Sequence, residues 1–243
     1  MFLVTYKRGK MNKIGWGIFA GIVIILIGGL VWYSKASNPS VDVSSVNPAE
    51  IQSASSVNGQ IADHVEGNTD AKVKIIEYGD YECPYCGEAY APMKTIVSDY
   101  GDQVAFIFRN SPLTTVHPNA RAAAAVAEAA GLQGKYWQMH DKLYEGQNDW
   151  GSLTDGTKRD SIFKGYAEEI GLNIDQYTKD LSGGAKAVNQ KISFDQAIAK
   201  KLNLQSTPTF YINGNKVDDN IVGAMEQGSS TEFTKLIDQA LGK

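Results

Sequence analysis

Cys83-Pro84-Tyr85-Cys86 constrains this chain more than any other four residues, and its two thiols are the only cysteines in 243 residues. A C-x-x-C pair standing alone is half of a metal site, a small structural disulfide or a redox switch. The apolar run K-V-K-I-I-E-Y over residues 72–78 predicts a strand just before the pair. Pro84 predicts a helix opening inside it, since the N–H that proline lacks has no partner in the first helical turn anyway. Cys83 then sits at a helix N-terminus, where peptide dipoles favour negative charge and lower a thiol's pKa. Cys86 falls one turn inside. Such a pair supplies one nucleophilic sulfur and a second placed to resolve a mixed disulfide.

The alternatives fit less well. A zinc site takes about four ligands. His64, His117 and His140 are the only histidines, and none forms an H-x3-5-H pair. Neither a metal nor another cofactor is expected. A purely structural disulfide across two intervening residues closes so small a loop that it constrains little of the unfolded chain.

The N-terminus suggests where the domain sits. Residues 14–33 are 20 residues without a charge. As a helix rising about 1.5 Å per residue they span about 30 Å, the thickness of a bilayer's hydrocarbon core. Trp16 lies near one end, and Trp32 and Tyr33 at the other, as interfacial aromatics do. Lys7, Arg8, Lys10 and Lys13 precede the segment and no acid does. Residues 1–13 are therefore expected as a cytoplasmic basic tail, 14–33 as a single transmembrane anchor in the lipid bilayer, and the rest as extracytoplasmic. A signal peptide cleaved after Ser34-Lys35-Ala36 is the rival reading, although the apolar stretch exceeds the roughly 7–15 residues usual for a signal core. Both readings put the domain in an oxidising compartment. The 23 Lys and Arg residues less the four in the tail leave 19 against 27 Asp and Glu, a net of −8. With no basic run, nothing points to nucleic acid as a partner.

Residues 34–59 are rich in Ser, Asn and Pro and poor in large apolar side chains. They read as a flexible tether with a root-mean-square span of roughly 28 Å. Residues 60–243 suffice for one domain with a sizeable core. The strand at 72–78, a helix from Pro84 to about Tyr100 and a strand at 104–108 make a βαβ unit, expected parallel with a right-handed crossover. Helices are expected from His117-Pro118-Asn119 to near Gly131, and over 135–144, 159–170, 174–181 and 185–202. Residues 209–212 and 216–217 flank Asn213-Gly214, a hairpin signal. Ser229 and Glu232 read as a capping box for a last helix, with Phe233, Leu236, Ile237, Ala240 and Leu241 on its buried face. The fold class is α/β: a βαβ half, a helical insert at about 114–203, then a ββα half.

That order, with C-P-Y-C at the first strand–helix turn and Thr207-Pro208 before the third strand, resembles the thioredoxin fold. More narrowly it resembles the DsbA family of bacterial extracytoplasmic thiol–disulfide oxidoreductases, in the branch with a single N-terminal anchor. The resemblance runs from about residue 59 to 241. Its motifs are E-Y-G-D-Y at 77–81, the C-P-Y-C itself, F-R-N-S-P-L at 108–113, H-P at 117–118 through G-K-Y-W-Q-M-H-D at 134–141, and T-P-T-F at 207–210.

The resemblance implies a cis bond before Pro208, with the proline facing the cysteines and the Thr207 backbone pairing with a substrate peptide. By itself, Pro208 also suits a strand start. For Glu77, six residues before Cys83, it implies a buried acid that accepts or relays a proton from the resolving thiol, Cys86. The residues alone give Glu77 two readings. It shares a strand face with Val73 and Ile75, so it lies at the sheet's rim or is buried with a raised pKa that suits proton transfer. Pro84 and Tyr85, between the cysteines, are expected to tune the redox pair. Tyr85 brings no positive charge, and Glu82 opposes the thiolate slightly. His117 reads as a helix entry, and Trp137, Met139 and His140 as packing.

The activity so implied is dithiol–disulfide exchange at Cys83 and Cys86. It would introduce disulfides into exported proteins with free cysteines and be recycled by a membrane redox partner. Direction stays open, because a reductase fed with electrons through the membrane uses the same site. An isomerase usually carries a separate dimerisation domain, for which the short tether leaves no room. A third reading is a thioredoxin-fold module that binds proteins without chemistry.

Overall fold

Five strands, β1 (Val65–Gly67), β2 (Val73–Gly79), β3 (Val104–Asn110), β4 (Thr209–Ile212) and β5 (Asn215–Lys216), pair in the order β1-β3-β2-β4-β5. β2 and β3 are parallel, from Val73 opposite Val104 to Gly79 opposite Asn110. The remaining pairs are antiparallel. The computed structural model of the protein describes Phe19, residues 21–24, Gly28, and residues 41–182 and 185–243. Residues 41–243 form a unit of their own.

Strand alternation divides the core. Val73 and Ile75 of β2, with Phe106 and Phe210, pack under Met93 and Ile96 of α1 (Pro84–Tyr100). Ile76 and Tyr78, with Ile107, face the opposite layer. A strand covered on both faces has no polar side to present, which is why β2 reads as an almost continuous apolar run.

Between β3 and β4 the chain is helical: α2 (Ala120–Gly131), α3 (Tyr136–Glu145), α4 (Gln147–Trp150), α5 (Gly156–Glu169), α6 (Ile174–Leu181) and α7 (Lys186–Lys201). This is the expected insertion. Small Ala123, Ala127 and Ala130 of α2 leave room for Met139, Leu143, Trp150 and Phe163, and the same cluster reaches Cys83 and Cys86. α7 lays Phe194 and Ile198 on the far face of the sheet. α8 (Asp219–Glu226) and α9 (Thr231–Leu241) complete the ββα half.

Two expectations change, and a third falls mostly outside the described residues. Residues 41–59 are not a flexible tether, and the folded unit begins at Val41 rather than near residue 60. Val43 is buried, and Val46 and Ile51 pack on the α7 side of the sheet. The backbone there is satisfied by cations instead of a ladder. Lys201 Nζ donates to the carbonyls of Val43, Ser44 and Val46 at 3.0, 2.9 and 2.8 Å, and Arg109 to those of Pro48 and Glu50 at 2.6 and 2.7 Å. The capping box also fails to form. Ser229 N–H closes α8 by donating to the Ala224 carbonyl, and Ser230 is the residue before α9, with no side-chain cap. Finally, the expected anchor at 14–33 lies outside the described residues except for Phe19, 21–24 and Gly28, which are helical. Among the described residues no helix is long and apolar enough to cross a membrane.

Behind the sheet lies a sealed cluster of charges. Asp63 receives Arg109 Nη2 at 2.8 Å and Lys191 Nζ at 3.0 Å, and Lys191 also reaches Asp195 at 2.6 Å. Asp195 accepts from the Asn110 backbone and side chain, both at 3.1 Å. The cluster ties the 41–63 segment, β3 and α7 together.

Candidate active site

Cys83 occupies the N-cap of α1, with Pro84 in the first turn as expected. Cys86 is 0% exposed and Cys83 4%, and both are free thiols. Hydrogen bonding from the Cys86 thiol is the largest stabiliser of a Cys83 thiolate, followed by Thr207 and then by the backbone N–H groups of Cys86 and Tyr85. These donors outweigh burial and bring Cys83 down to about 6. The helix N-terminus therefore acts as foreseen through its first N–H groups, but its partner cysteine contributes more. Cys86 moves the other way, well above the ordinary thiol value, through burial and the adjacent Cys83 sulfur.

Other elements fix this turn. Asp80 is buried, and its Oδ1 accepts from Glu82 N–H at 2.8 Å. Its Oδ2 receives Leu113 N–H at 2.8 Å and contacts His117 Nδ1 at 2.9 Å. Gln147 of α4 donates to the carbonyls of Tyr81 and Cys83 at 2.7 and 2.9 Å. Gly87 accommodates that amide, because a Cβ there would collide with it. Glu82 is turned to the Asn119 N–H rather than to the sulfurs.

From the opposite side, β4 brings Thr207 and Pro208 over the pair. Their peptide bond is cis, and the Thr207 carbonyl lies 3.4 Å from Cys83 Sγ. Tyr85 projects outward, 58% exposed. Beside it opens a cleft of about 300 Å³ bordered by Pro84, His117 and Gln147.

Glu77 sits in β2 between Phe108 of β3 and Phe210 of β4. It is buried, not at the rim, and its Oε1 has no hydrogen-bond partner. Burial, then the negative charge of Cys83, raise it to about 8. Gly79 makes this packing feasible, since a Cβ there would strike the Phe108 ring and Glu77 Oε1.

Residues 60–239, well over half of the chain, match the family model described as thioredoxin. The chain belongs to the thioredoxin family. Among solved structures, BdbD from Bacillus subtilis superposes with a TM-score of 0.62 at 24% identity, covering 81% of this chain and all of that one. Alpha-DsbA1 from Wolbachia pipientis gives 0.58 at 24%, covering 74% and 91%. A thioredoxin-like oxidoreductase from Silicibacter pomeroyi DSS-3 gives 0.57 at 26%, covering 74% and 93%. The DsbA-type fold inferred from the motifs is therefore the fold of this family member. A curated relative, the Na(+)/H(+) antiporter NhaA 1 of Salinispora arenicola (strain CNS-205), is 40% identical over 154 residues. This chain spans 22% of that relative's length.

This thioredoxin-family site brings together all the residues singled out in the sequence: Cys83, Pro84, Tyr85, Cys86, Glu77, Thr207 and Pro208. Asp80 and Gln147 were not foreseen. Both act on backbone groups of the turn: Asp80 within the E-Y-G-D-Y motif, two residues from the N–H it holds, and Gln147 from 64 residues away, where no local spacing announces it. No group of three or more His, Cys, Asp or Glu side chains among the described residues is arranged to hold a metal ion.

Proposed function

We propose that this chain is a thiol–disulfide oxidoreductase working through Cys83 and Cys86. The observation that carries the reading is the inequality of two neighbouring sulfurs. One, at the helix N-cap, is held down to about 6, and the other is fully buried and pushed up. The oxidoreductases of the same fold support it.

In the oxidising direction a substrate thiolate attacks Cys83 of the Cys83–Cys86 disulfide. A substrate–Cys83 bond forms, the Cys83–Cys86 bond breaks, and Cys86 leaves as a thiolate. Glu77, protonated at neutral pH because its pKa is about 8, gives it a proton. A second substrate thiolate then attacks the substrate sulfur, and Cys83 leaves as a thiolate. The substrate gains a disulfide and the enzyme two electrons. A low leaving-group pKa speeds this last step, and a stabilised Cys83 thiolate makes the dithiol form the favoured one. The chemistry therefore favours an oxidase over a reductase. Thr207, beside Cys83, offers its backbone to a bound peptide, with Pro208 as the next wall. The substrates in this reading are exported proteins with free cysteines. Residues 14–33 hold the domain at the outer face of the cell membrane, and a membrane redox partner removes the two electrons.

Alkylation of the reduced protein as a function of pH tests the site. Cys83 is expected to titrate near 6; a midpoint at the ordinary thiol value removes the reading. Equilibration with glutathione tests direction. A pair that stays mainly dithiol against a reducing glutathione mixture is an oxidant, and one that stays mainly disulfide is a reductant. Absence of exchange either way leaves a protein-binding module.

A further inference from the structure

Glu77 exchanges its proton once per cycle in the scheme above, yet it is buried and its free oxygen touches no donor. A small cavity lies against it. Its volume is about 10 Å³, close to the room that the centre of one water needs. Glu77, His140 and Tyr144 are among the buried side chains that line it. Each of these three buried side chains has polar atoms without a hydrogen-bond partner: Glu77 Oε1, both ring nitrogens of His140, and the Tyr144 hydroxyl. Buried polar groups are almost always satisfied by protein or by water. Convergence of three such groups on one water-sized space is the mark of a hydration site.

The same cavity leads outward. Lys94 and Asp141 line it too, half-exposed and paired at 2.7 Å, with Glu66 of β1 alongside and the Tyr90 hydroxyl 3.0 Å from Lys94. His140 stands between the two ends. Its Nδ1 is 3.5 Å from Asp141 Oδ1, too long for a strong hydrogen bond, while its ring is walled by Tyr81, Phe108, Trp137 and Tyr144.

We propose that this cavity binds one water between Glu77, His140 and Tyr144, and that the water and His140 form the route by which Glu77 exchanges its proton with solvent at the Lys94–Asp141 surface. The inference rests on the thiol–disulfide reading for its purpose but not for its geometry. The step is a proton transfer only. A proton leaves the Glu77 carboxyl for the water, the water passes one of its own to a His140 nitrogen, and the imidazole releases its other proton outward. Return of protons to Glu77 runs the same chain backward. Burial lowers the pKa of His140, so the imidazole is neutral at rest, with one nitrogen to accept and one to donate. Burial also keeps the Tyr144 hydroxyl protonated, leaving it as an orienting donor. His140 and Tyr144 are therefore positioning residues, not groups that touch a substrate.

The test uses Tyr144→Phe, which keeps the ring and removes only the hydroxyl, and His140→Phe, which keeps an aromatic wall. The first readout is pH-difference infrared spectroscopy of the reduced protein, following the protonated carboxyl band that Glu77→Gln removes. In both variants that band is expected to move to the frequency of an unbonded carboxyl, and in His140→Phe its exchange in heavy water is expected to slow. The second readout is stopped-flow attack of Cys86 on a Cys83 mixed disulfide. His140→Phe is expected to slow it by about tenfold, less than the roughly hundredfold that a complete general base contributes, without moving the alkylation midpoint of Cys83. An unmoved carboxyl band in both variants overturns the water site, and an unchanged exchange rate of that band in His140→Phe overturns the route. The infrared readout needs no turnover. A protein without exchange activity but with the expected band shifts thus loses only the oxidoreductase reading.

Discussion

Adjacent residues of one strand lead into two very different interiors. Glu77 of β2 faces a region where Cys86 is buried and where His140 and Tyr144 are buried with polar atoms left over. Tyr78, the next residue, faces the side where its hydroxyl receives Arg109 at 2.9 Å within the Asp63–Arg109–Lys191–Asp195 cluster. Burial is equally complete on both sides. What differs is the supply of partners. On the charged side opposite ions meet at 2.6 to 3.0 Å; burial alone would raise Asp63, but Lys191 and Arg109 hold it well below the usual carboxylate range. On the thiol side no cation among the described residues pairs with Glu77 or Cys86, and both rise, chiefly through burial. The first arrangement pairs opposite charges and holds the fold together, although burial still pushes Asp195 within it above the usual carboxylate range. The second has no such pairing for Glu77 and Cys86, and leaves protons free to move.

If that division is right, substitutions on the two sides separate activity from stability. The largest effect belongs to Cys83→Ser, which should reduce exchange by more than about a thousandfold while unfolding shifts by about 1 kcal/mol, the ordinary cost of one substitution at a buried position. Equilibrium denaturation with a parallel turnover assay measures both. Lys191→Met comes next. It strands Asp195 without its cation and leaves Asp63 with Arg109 alone, and breaking a buried pair costs about 3–5 kcal/mol. The alkylation midpoint of Cys83 should not move; if it does, the two sides are coupled.

Glu77→Gln inverts the sign. The carboxyl's folded pKa, about 8, lies above its ordinary 4.5. Below 4.5 both states are protonated and burial of this group costs nothing extra. As pH rises from about 5 to 8, ionisation is possible only on unfolding, so stability falls. The amide removes that loss. Its advantage should be absent at pH 4 and on the order of 3 kcal/mol at neutral pH, while resolution by Cys86 slows. A variant no more stable than its parent at neutral pH would show that Glu77 ionises freely. Gln147→Ala is the mildest change. Losing two hydrogen bonds to the carbonyls of Tyr81 and Cys83 should cost about 1–2 kcal/mol, with the thiol midpoint nearly unmoved.

The thiol side was largely legible in the sequence, and the charged side was not. Strands β2 and β3 announce themselves as apolar runs, Pro84 marks the start of α1, and Glu77 interrupts an apolar strand face. Each signal is local. Arg109, Lys191 and Asp195 sit where a one-dimensional reading expects solvent-facing charges: the i,i+4 pair of Lys191 and Asp195 looks like an ordinary exposed helix pair, and Asp63, which draws Lys191 and Arg109 inward, lies 128 residues from Lys191. The same limit explains the missed strand β1, only three residues long. It explains the misread 41–59 segment, whose backbone is held by Arg109 and Lys201 instead of by its own pattern. His140 illustrates a subtler limit. Its helical spacing predicts packing, which the structure bears out, but spacing cannot reveal a histidine whose ring nitrogens have no partner.

One consequence of the cation-held 41–63 segment is mechanical. Tension entering at Val41 meets the Lys201 grip on three carbonyls, then the Arg109 grip on two more, and then Asp63 in its paired cluster. All of these fasteners lie behind the sheet. A tug on this end of the folded unit is therefore spent against α7 and β3 before it can strain the turn that carries the sulfurs.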